Sequence, residues 1–583
     1  MSSAEVQRSD QSSPSPSTTP SSSLLKPPLP VAKPSSTTPH INVVVLSSAG
    51  KPIFSRFGDE EALVTAAGLV QAIFSFAEDA GTPLRHMKTS SGRQFSFLAR
   101  GALYLLGVSS STASGSEVSE HYMCLLLEYV YGQIVFTLTS KVQAIFKRSQ
   151  NFDLRGMLGA TDNVIRSLLD KAESHQIFLT AGVEVLPLPP AVRGEVSRVL
   201  AATSDYVKST LFAVLLAGQR LVTIVQPSNP EHQLKGSDLH LLMNFVHAQS
   251  QSLMASESWF PVCLPTFNST GFVYAYTCCL HEPTGLFLLL FSTQNSPDQF
   301  HMFQNARAAI VHALGLKSRT AGKIIHQHSY EDRGSEAATK PAAAGGGGGD
   351  GGSGGGGSSS SSDALASAAA AGLPLPPSSS VDPFSNQPPL LRAILESTTD
   401  LQSKIVSQYC SVAGALHFLY RTDVPVGSTG GRLTQTLCPT LQFPFVDQQS
   451  KARVWSNYQK LVLRLRSGSC RHIGGASSFG DDVSSSAAAA SSSAAGGAVA
   501  DPTFPPLSQE AYCRPPESPS VAYLVAGSEF YAGVAGAGFE IYAVMPATTN
   551  PREAISKITR LVRKLRGEAA AELFISNPPV FST

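Results

Sequence analysis

Two tracts built almost wholly of Ala, Gly, Ser and Pro divide this sequence, and they limit what it can fold into more than any other feature. One runs from about 334 to 382 and contains GGGGGDGGSGGGGSSSSS; the other, roughly 474–500, is Ser/Ala/Gly. Such composition offers few apolar side chains to bury and reads as linker or loop. Residues 1–39, rich in Ser, Pro and Thr, read the same way. The parts able to fold are 40 to about 325, and 385 to 583 with an insertion at about 467–520. At 583 residues the chain is too long for one core, so several domains are expected.

Charged residues make up 15% of the chain and the formal charge is +1. That balance argues against a general nucleic-acid binder, which carries a basic footprint. The apolar runs, such as Leu286–Phe291 and Leu211–Leu216, are far shorter than the ~20 residues that span a bilayer. The first residues, MSSAEVQRSD, show no apolar signal core, and any membrane contact is expected to be peripheral. Eight cysteines are scattered without a C-x-x-C pair, which predicts buried, reduced thiols in a cytosolic protein. Cys278 and Cys279 are adjacent on a predicted strand, where alternation sends them to opposite faces.

The first block has the clearest pattern. Strands are predicted at Ile41–Ser47 and Pro52–Arg56 around a turn at Ser48–Lys51. Asp59 reads as the cap of a helix running from Glu60 to Ala77, with Glu60 and Glu61 in its first turn. That helix is apolar or small nearly all round, so it needs cover on more than one side. Strands near 84–89, 93–100 and 102–109 follow, then helices at about 117–147 and 153–174. The order ββα, βββ, αα predicts an α/β domain with a five-stranded antiparallel sheet flanked by helices.

The second block predicts a helix at Pro190–Ala202, a hairpin of Val207–Leu216 and Arg220–Gln226, and a helix at Ser237–Gln251. Strands Gly271–Leu280 and Leu286–Thr293 and a helix Pro297–Leu314 complete it. The third predicts helices around 389–412 and at Gln449–Leu465, strands Ala415–Arg421, Val521–Gly527 and Phe539–Met545, and a closing helix Asn550–Arg566.

No catalytic constellation passes its spacing test. G-x-S-x-G occurs at Gly351–Gly355, inside the Gly/Ser tract and away from any strand–helix turn. There is no Walker loop, and Gly50-Lys51 lies between two strands rather than at a helix start where amides converge on phosphate. His240 and His247 stand seven apart, His326 and His328 sit in a polar tail, and none has a ligand partner at metal spacing. Glu60-Glu61 and Asp481-Asp482 are adjacent acids whose side chains diverge. No metal or cofactor is therefore expected, and no nucleophile–base pair supports a hydrolase.

The closing helix carries a patterned charge. Ile555, Ile558, Leu561, Val562 and Leu565 share one stripe, while Lys557, Arg560, Arg563 and Lys564 share the opposite face, with Arg566 at its edge. A solvated face of a packed helix explains this pattern. A surface for anionic lipid headgroups explains it too, at about 1 kcal/mol per well-placed cation.

Longer strings carry a resemblance. VVVLSSAGKPIFSRFGDEEAL at 43–63, KRSQNFDLRGML at 147–158, SDLHLLMNFV at 237–246 and WFPVCLPTFNSTGFVYAY at 259–276 resemble, in order, the Mon subunit of the Mon–Ccz complex. ALHFLYR at 415–421, GFEIYAVMP at 538–546 and ELFISNPPVF at 572–581 continue the match. The resemblance to this vacuolar fusion family implies three longin-like domains, each a five-stranded antiparallel sheet flanked by helices. The corresponding boundaries are a tail 1–39, a first domain 40–175, a second 176–318, a linker 319–384 and a third 385–583 carrying the insertion.

It further implies an obligate heterodimer with a Ccz-type longin subunit, formed through the first longin domains. Together the two would act as a guanine nucleotide exchange factor for a late-endosomal Rab GTPase of the Rab-seven type. The implied roles are endosome maturation, vacuole or lysosome fusion and autophagy. The expected location is cytosolic, with recruitment to the late endosome and vacuole and peripheral contact with an anionic or phosphoinositide surface. By analogy, Lys51, Phe54, Arg56, Phe57, Glu60 and Glu61 are the expected exposed contacts of the GTPase or partner, with ordinary core packing the alternative for Phe54 and Phe57. The charge pattern of the closing helix makes Lys557, Arg560, Arg563, Lys564 and Arg566 the candidate membrane contacts. The rival reading is a longin-domain adaptor or tether without exchange activity.

Overall fold

The computed structural model describes residues 41–316, 388–466 and 520–581, apart from 58–59, 82–83, 111–116, 149–153, 160, 176, 400–405, 412–413, 429, 442–443 and 568–569. The tail, the linker and the insertion up to 519 lie outside the described residues. So do Asp59, His326, His328, Gly351–Gly355, Asp481 and Asp482.

Three sheets share one strand order. The first contains β1 (Asn42–Ser47), β2 (Pro52–Ser55), β3 (His86–Lys88), β4 (Arg93–Arg100) and β5 (Leu103–Ser110), arranged β2-β1-β5-β4-β3. After the two-residue β6 (Val183–Glu184) come β7 (Thr210–Ala217), β8 (Arg220–Val225), β9 (Ser258–Leu264), β10 (Ser269–His281) and β11 (Leu286–Ser292), arranged β8-β7-β11-β10-β9. The third contains β12 (His417–Val426), β13 (Gly431–Leu437), β14 (Ser520–Ala526), β15 (Glu529–Gly536) and β16 (Phe539–Pro546), arranged β14-β15-β16-β12-β13-β6. Numbered within each block, all three run 2-1-5-4-3, and every pairing inside a block is antiparallel. The expected three five-stranded sheets are present, and the third gains β6 as a sixth strand in parallel.

Helices fill the connections. α1 (Glu60–Asp79) follows the first hairpin, and α2 (Glu120–Leu138) and α3 (Asp162–Ser174) follow the first sheet. α4 (Pro190–Ala201), α5 (Gly236–Ala248) and α6 (Pro297–Ala313) belong to the second sheet. α7 (Pro389–Thr399), α8 (Gln448–Arg466) and α9 (Pro551–Arg566) come from the last block. Sequence order places α7 in the third domain, but Leu390, Leu391 and Ile394 pack against the second sheet's outer face and the Ser397 hydroxyl donates to the Pro187 carbonyl at 2.7 Å.

Strand alternation separates two layers of core in each sheet. Val44, Leu46, Leu106 and Val108 face α1, whereas Val43, Val45, Leu103 and Leu105 face a larger core shared with the other sheets. Cys278 and Cys279 divide as expected, one in the outer core of the second sheet and one in the shared core. All six described cysteines are free, and five are buried; Cys124 is half-buried.

α2 lies at the centre of the shared core, against β4 and β5 of its own sheet, β9 of the second, and α3, α5 and α8. Tyr122, Leu126, Leu127, Tyr129, Val130, Ile134 and Phe136 point round its whole circumference, none more than 1% exposed. Ser119 caps it through the Tyr122 amide. The three domains are thus joined through a continuous apolar interior.

The second and third domains also interlock by backbone. β6 pairs Val183 and Glu184 with Gln435 and Thr436, and the next residue, Val185, bridges to Leu221 of β8. Gly182 permits this approach, since a Cβ there would stand 2.8 Å from the Gln435 carbonyl carbon. The C-terminal segment returns to the second domain: the Glu572 carbonyl accepts from Arg193 at 2.9 Å, and the Phe581 amide donates to Gln226 at 3.1 Å.

Candidate docking surface

The opening hairpin and the helix after it hold most of the residues expected to act. The turn uses its own amides: Ser47 donates to the Lys51 carbonyl and Gly50 to the Ser47 carbonyl, both at 2.9 Å, and Lys51 to the Ser47 hydroxyl at 3.1 Å. Gly50 supplies the left-handed conformation with φ of 77°. With those donors engaged, the turn offers no amide nest for a phosphate. Lys51 stands exposed beside it.

Arg56 is the main correction to the expected surface. Arg56 is buried, at 7% exposure, against the expectation of an exposed contact, and Phe54, at 3%, takes the core-packing alternative. The Arg56 guanidinium donates to Glu173 at 2.7 and 2.9 Å, to Asp170 at 2.6 Å and to the Ile41 carbonyl at 2.7 Å. Arg166 donates to the Arg56 and Ser55 carbonyls at 2.6 and 3.0 Å and covers the Phe54 ring at 5.4 Å. Arginine's planar fork suits such multidentate ties. These residues staple the hairpin to α3 and so face inward. Phe57 is half-buried, with Arg56 over its ring at 4.9 Å. Glu60 and Glu61 lie in the first turn of α1; their side chains lie outside the described residues.

α1 itself presents a surface that the site residues did not include. Ala67, Val70 and Phe74 are buried against the sheet, Phe74 stacking on Tyr104 at 4.2 Å and meeting Phe97 edge-on at 5.5 Å. Leu69 and Phe76 fall about 200° round the helix from Ala67 and Phe74, and they are 47% and 75% exposed. The helix therefore carries two apolar stripes on opposite sides, and the described residues cover one. Met87 on the edge strand β3 adds a further exposed apolar side chain, at 36%. The signal was legible in the all-round apolar character of α1, although no single motif marks it.

α9 shows the expected amphipathic split. Ile558, Leu561 and Leu565 are buried with Ala554, while Arg560 and Arg563 are exposed. Three of the predicted cations have local partners: Lys557 pairs with Glu553 at 2.7 Å, Lys564 covers Tyr409 at 5.0 Å and Arg566 covers Phe539 at 4.9 Å. His240 and His247 do not converge on a common ligand cluster among the described residues; burial pushes the His240 imidazole down to about 3, so it is neutral at physiological pH. No described helix is long and apolar enough to cross a membrane.

Comparison with known proteins agrees with this architecture. The model of the first longin domain of FUZ, MON1 and HPS1 matches residues 41–168, and that of the second longin domain of the same proteins matches 208–311. Protein SAND of Takifugu rubripes is 39% identical over 262 residues, covering 45% of this chain and 48% of that protein. Vacuolar fusion protein MON1 homolog A of Gallus gallus is 35% identical over 299 residues, covering 50% and 52%. Its human counterpart is 37% identical over 253 residues, covering 43% and 37%. The aligned part thus spans about half the length of the curated relatives it matches, or less. With both longin models matched in chain order and a third sheet of the same strand order behind them, the chain carries longin domains like the first and second of FUZ, MON1 and HPS1 and is similar to proteins named as MON1 homologues.

Proposed function

We propose that this chain is one subunit of a heterodimeric guanine nucleotide exchange factor that activates a late-endosomal Rab GTPase of the Rab-seven type. It would serve endosome maturation, vacuole or lysosome fusion and autophagy. The observation that carries the heterodimer is the apolar side of α1 that no described residue covers, with Leu69 and Phe76 exposed in the first longin domain. Its occupant is a Ccz-type longin subunit, whose own longin helix would supply the second cover that an all-round apolar helix requires. Relatives named as vacuolar fusion proteins support the cellular setting.

Exchange needs no acid, base or nucleophile. The complex must bind the nucleotide-free GTPase more tightly than the loaded one, and each tenfold acceleration of release takes about 1.4 kcal/mol from the barrier. Lys51, Phe57, Glu60 and Glu61 are the proposed contacts at the hairpin. Phe54 and Arg56 would fix the shape of that surface from beneath. The exposed cations of α9 would meet an anionic or phosphoinositide headgroup layer, bringing a cytosolic complex to the late endosome and vacuole as a peripheral protein.

The test is release of fluorescent GDP from the GTPase by the co-purified heterodimer, free and on anionic vesicles. Faster release than the GTPase alone is the expected result. Binding to the GTPase with no acceleration would establish the adaptor reading instead. On vesicles, charge reversal at Lys557, Arg560, Arg563 and Lys564 should weaken attachment, and unchanged attachment would rule out the lipid-binding role of α9.

A further inference from the structure

We propose that His175, Glu184 and Cys438 form a binding site for a zinc-type divalent cation where the three domains meet. A ligating atom from each lies within 4.8 Å of the other two. The residues reach this point from separate parts of the fold. His175 caps the C-terminus of α3, its own amide bonded to the Lys171 carbonyl at 2.8 Å. Glu184 ends β6, and Cys438 follows directly on β13. Because β6 and β13 run parallel with Glu184 beside Thr436, pleat alternation puts Cys438, two residues on, on the same side as Glu184.

The chemistry of the set suits zinc. Thiolate, imidazole and carboxylate are all zinc ligands, and a mixed sulfur, nitrogen and oxygen set excludes the hard, oxygen-only preference of magnesium and calcium. Tetrahedral zinc places its ligand atoms about 3.3–3.7 Å apart, so a closure of about 1 Å completes the geometry. A second observation points to a ligand. His175 Nδ1 is buried and has no hydrogen-bond partner, which is costly for a polar atom unless something binds it.

The site also has an entrance. His175 and Glu184 line an open cleft of about 1080 Å³ between α3 and the β7–β8 hairpin, and Cys438 lies below at 1% exposure. Water from the cleft would take the fourth position. Arg220 approaches Glu184 at 4.0 Å, beyond hydrogen-bonding range, and Lys171 also lines the cleft. Those cations oppose a dication, and the negative charges of the Cys438 thiolate and Glu184 offset them. A bound ion would clasp the first domain, the interdomain strand and the third domain together.

The experiment uses the full-length chain with its partner, expressed in zinc-containing medium. Elemental analysis after dialysis should find about one zinc per chain. Replacement by cobalt should give thiolate-to-cobalt charge-transfer absorption. His175→Ala and Cys438→Ser should each lose the bound metal, and Glu184→Gln should weaken binding at least tenfold. If Cys438→Ser does not fold, the cobalt band of the parent chain and its loss in His175→Ala decide the matter. Wild-type protein without retained zinc and without the cobalt–thiolate band overturns the proposal, as does a band that survives in a folded Cys438→Ser chain.

Discussion

α1 and α2 are the two longest helices of the first domain and both are apolar nearly all round, yet they sit in opposite situations. α2 is covered on every side, by its own sheet, by β9 of the second domain and by α8 of the third. α1 is covered on the side of Ala67, Val70 and Phe74 and leaves Leu69 and Phe76 in solvent. Composition alone does not separate these helices. What separates them is whether the other described residues supply a second layer. An all-apolar helix demands two covers; among the described residues α2 finds both and α1 finds one.

The comparison can be broken most severely at Leu127, which is fully buried on α2. Leu127→Ala should lower stability by about 3–5 kcal/mol, read by denaturant unfolding, because the site is walled by packed elements that cannot collapse into the cavity. The double change Leu69→Asp and Phe76→Asp on α1 should leave that stability within about 0.5 kcal/mol. It should instead weaken binding of the Ccz-type subunit by at least about a hundredfold, near 2.7 kcal/mol. A destabilised monomer, or an undiminished heterodimer, would show that the exposed stripe is not an interface.

A smaller effect contrasts the two basic residues of the hairpin. Arg56→Ala should destabilise the first domain by about 2–3 kcal/mol, because it strands the half-buried Glu173 and frees the hairpin from α3. Asp170 adds little, since its side chain is 69% exposed. Lys51→Ala should leave the melting temperature unchanged and act on GTPase binding alone. Equal melting temperatures for Arg56→Ala and wild type would remove the staple.

The smallest effect concerns acid. Burial by itself would raise the Glu540 carboxyl, but the guanidiniums of Arg466 and Arg421 outweigh it and hold its pKa below the ordinary value. Arg466 donates to it at 2.6 and 3.2 Å and Tyr542 at 3.0 Å. The folded pKa is lower than the unfolded one, about 4.3. The stabilisation is therefore complete at neutral pH and is lost as pH falls below about 4.3 and through the folded value. Thermal unfolding between pH 7 and 3 should show a steeper loss for wild type than for Glu540→Gln; parallel curves would contradict the assignment.

Much of the fold was readable. The first domain's strands lie within a few residues of their expected places, because apolar alternation there is strong and turns are marked by Gly. Four strands escaped: Val183–Glu184, Ser258–Leu264, Gly431–Leu437 and Glu529–Gly536. β9 carries Pro261, tolerated because β9 is an edge strand. β13 is largely polar, and β15 contains Gly533 and Gly536, so both are made strands by the neighbours they pair with. The site was less readable. Arg56 looks like a surface cation in sequence and is buried only because Asp170 and Glu173 of α3 arrive beside it.

From sequence alone came the division into foldable blocks, the ββαβββ order of the first of them, the amphipathic face of α9 and the collinear strings that mark the family. These depend on local composition and periodicity, which are written along the chain. Only the tertiary structure decided which apolar faces meet one another. It sent α7 to the second sheet, threaded β6 beside β13, buried Arg56, left Phe76 exposed, and brought Cys438 to His175 and Glu184. Each of those outcomes depends on residues far apart in the chain meeting in space, and no local spacing encodes such a meeting.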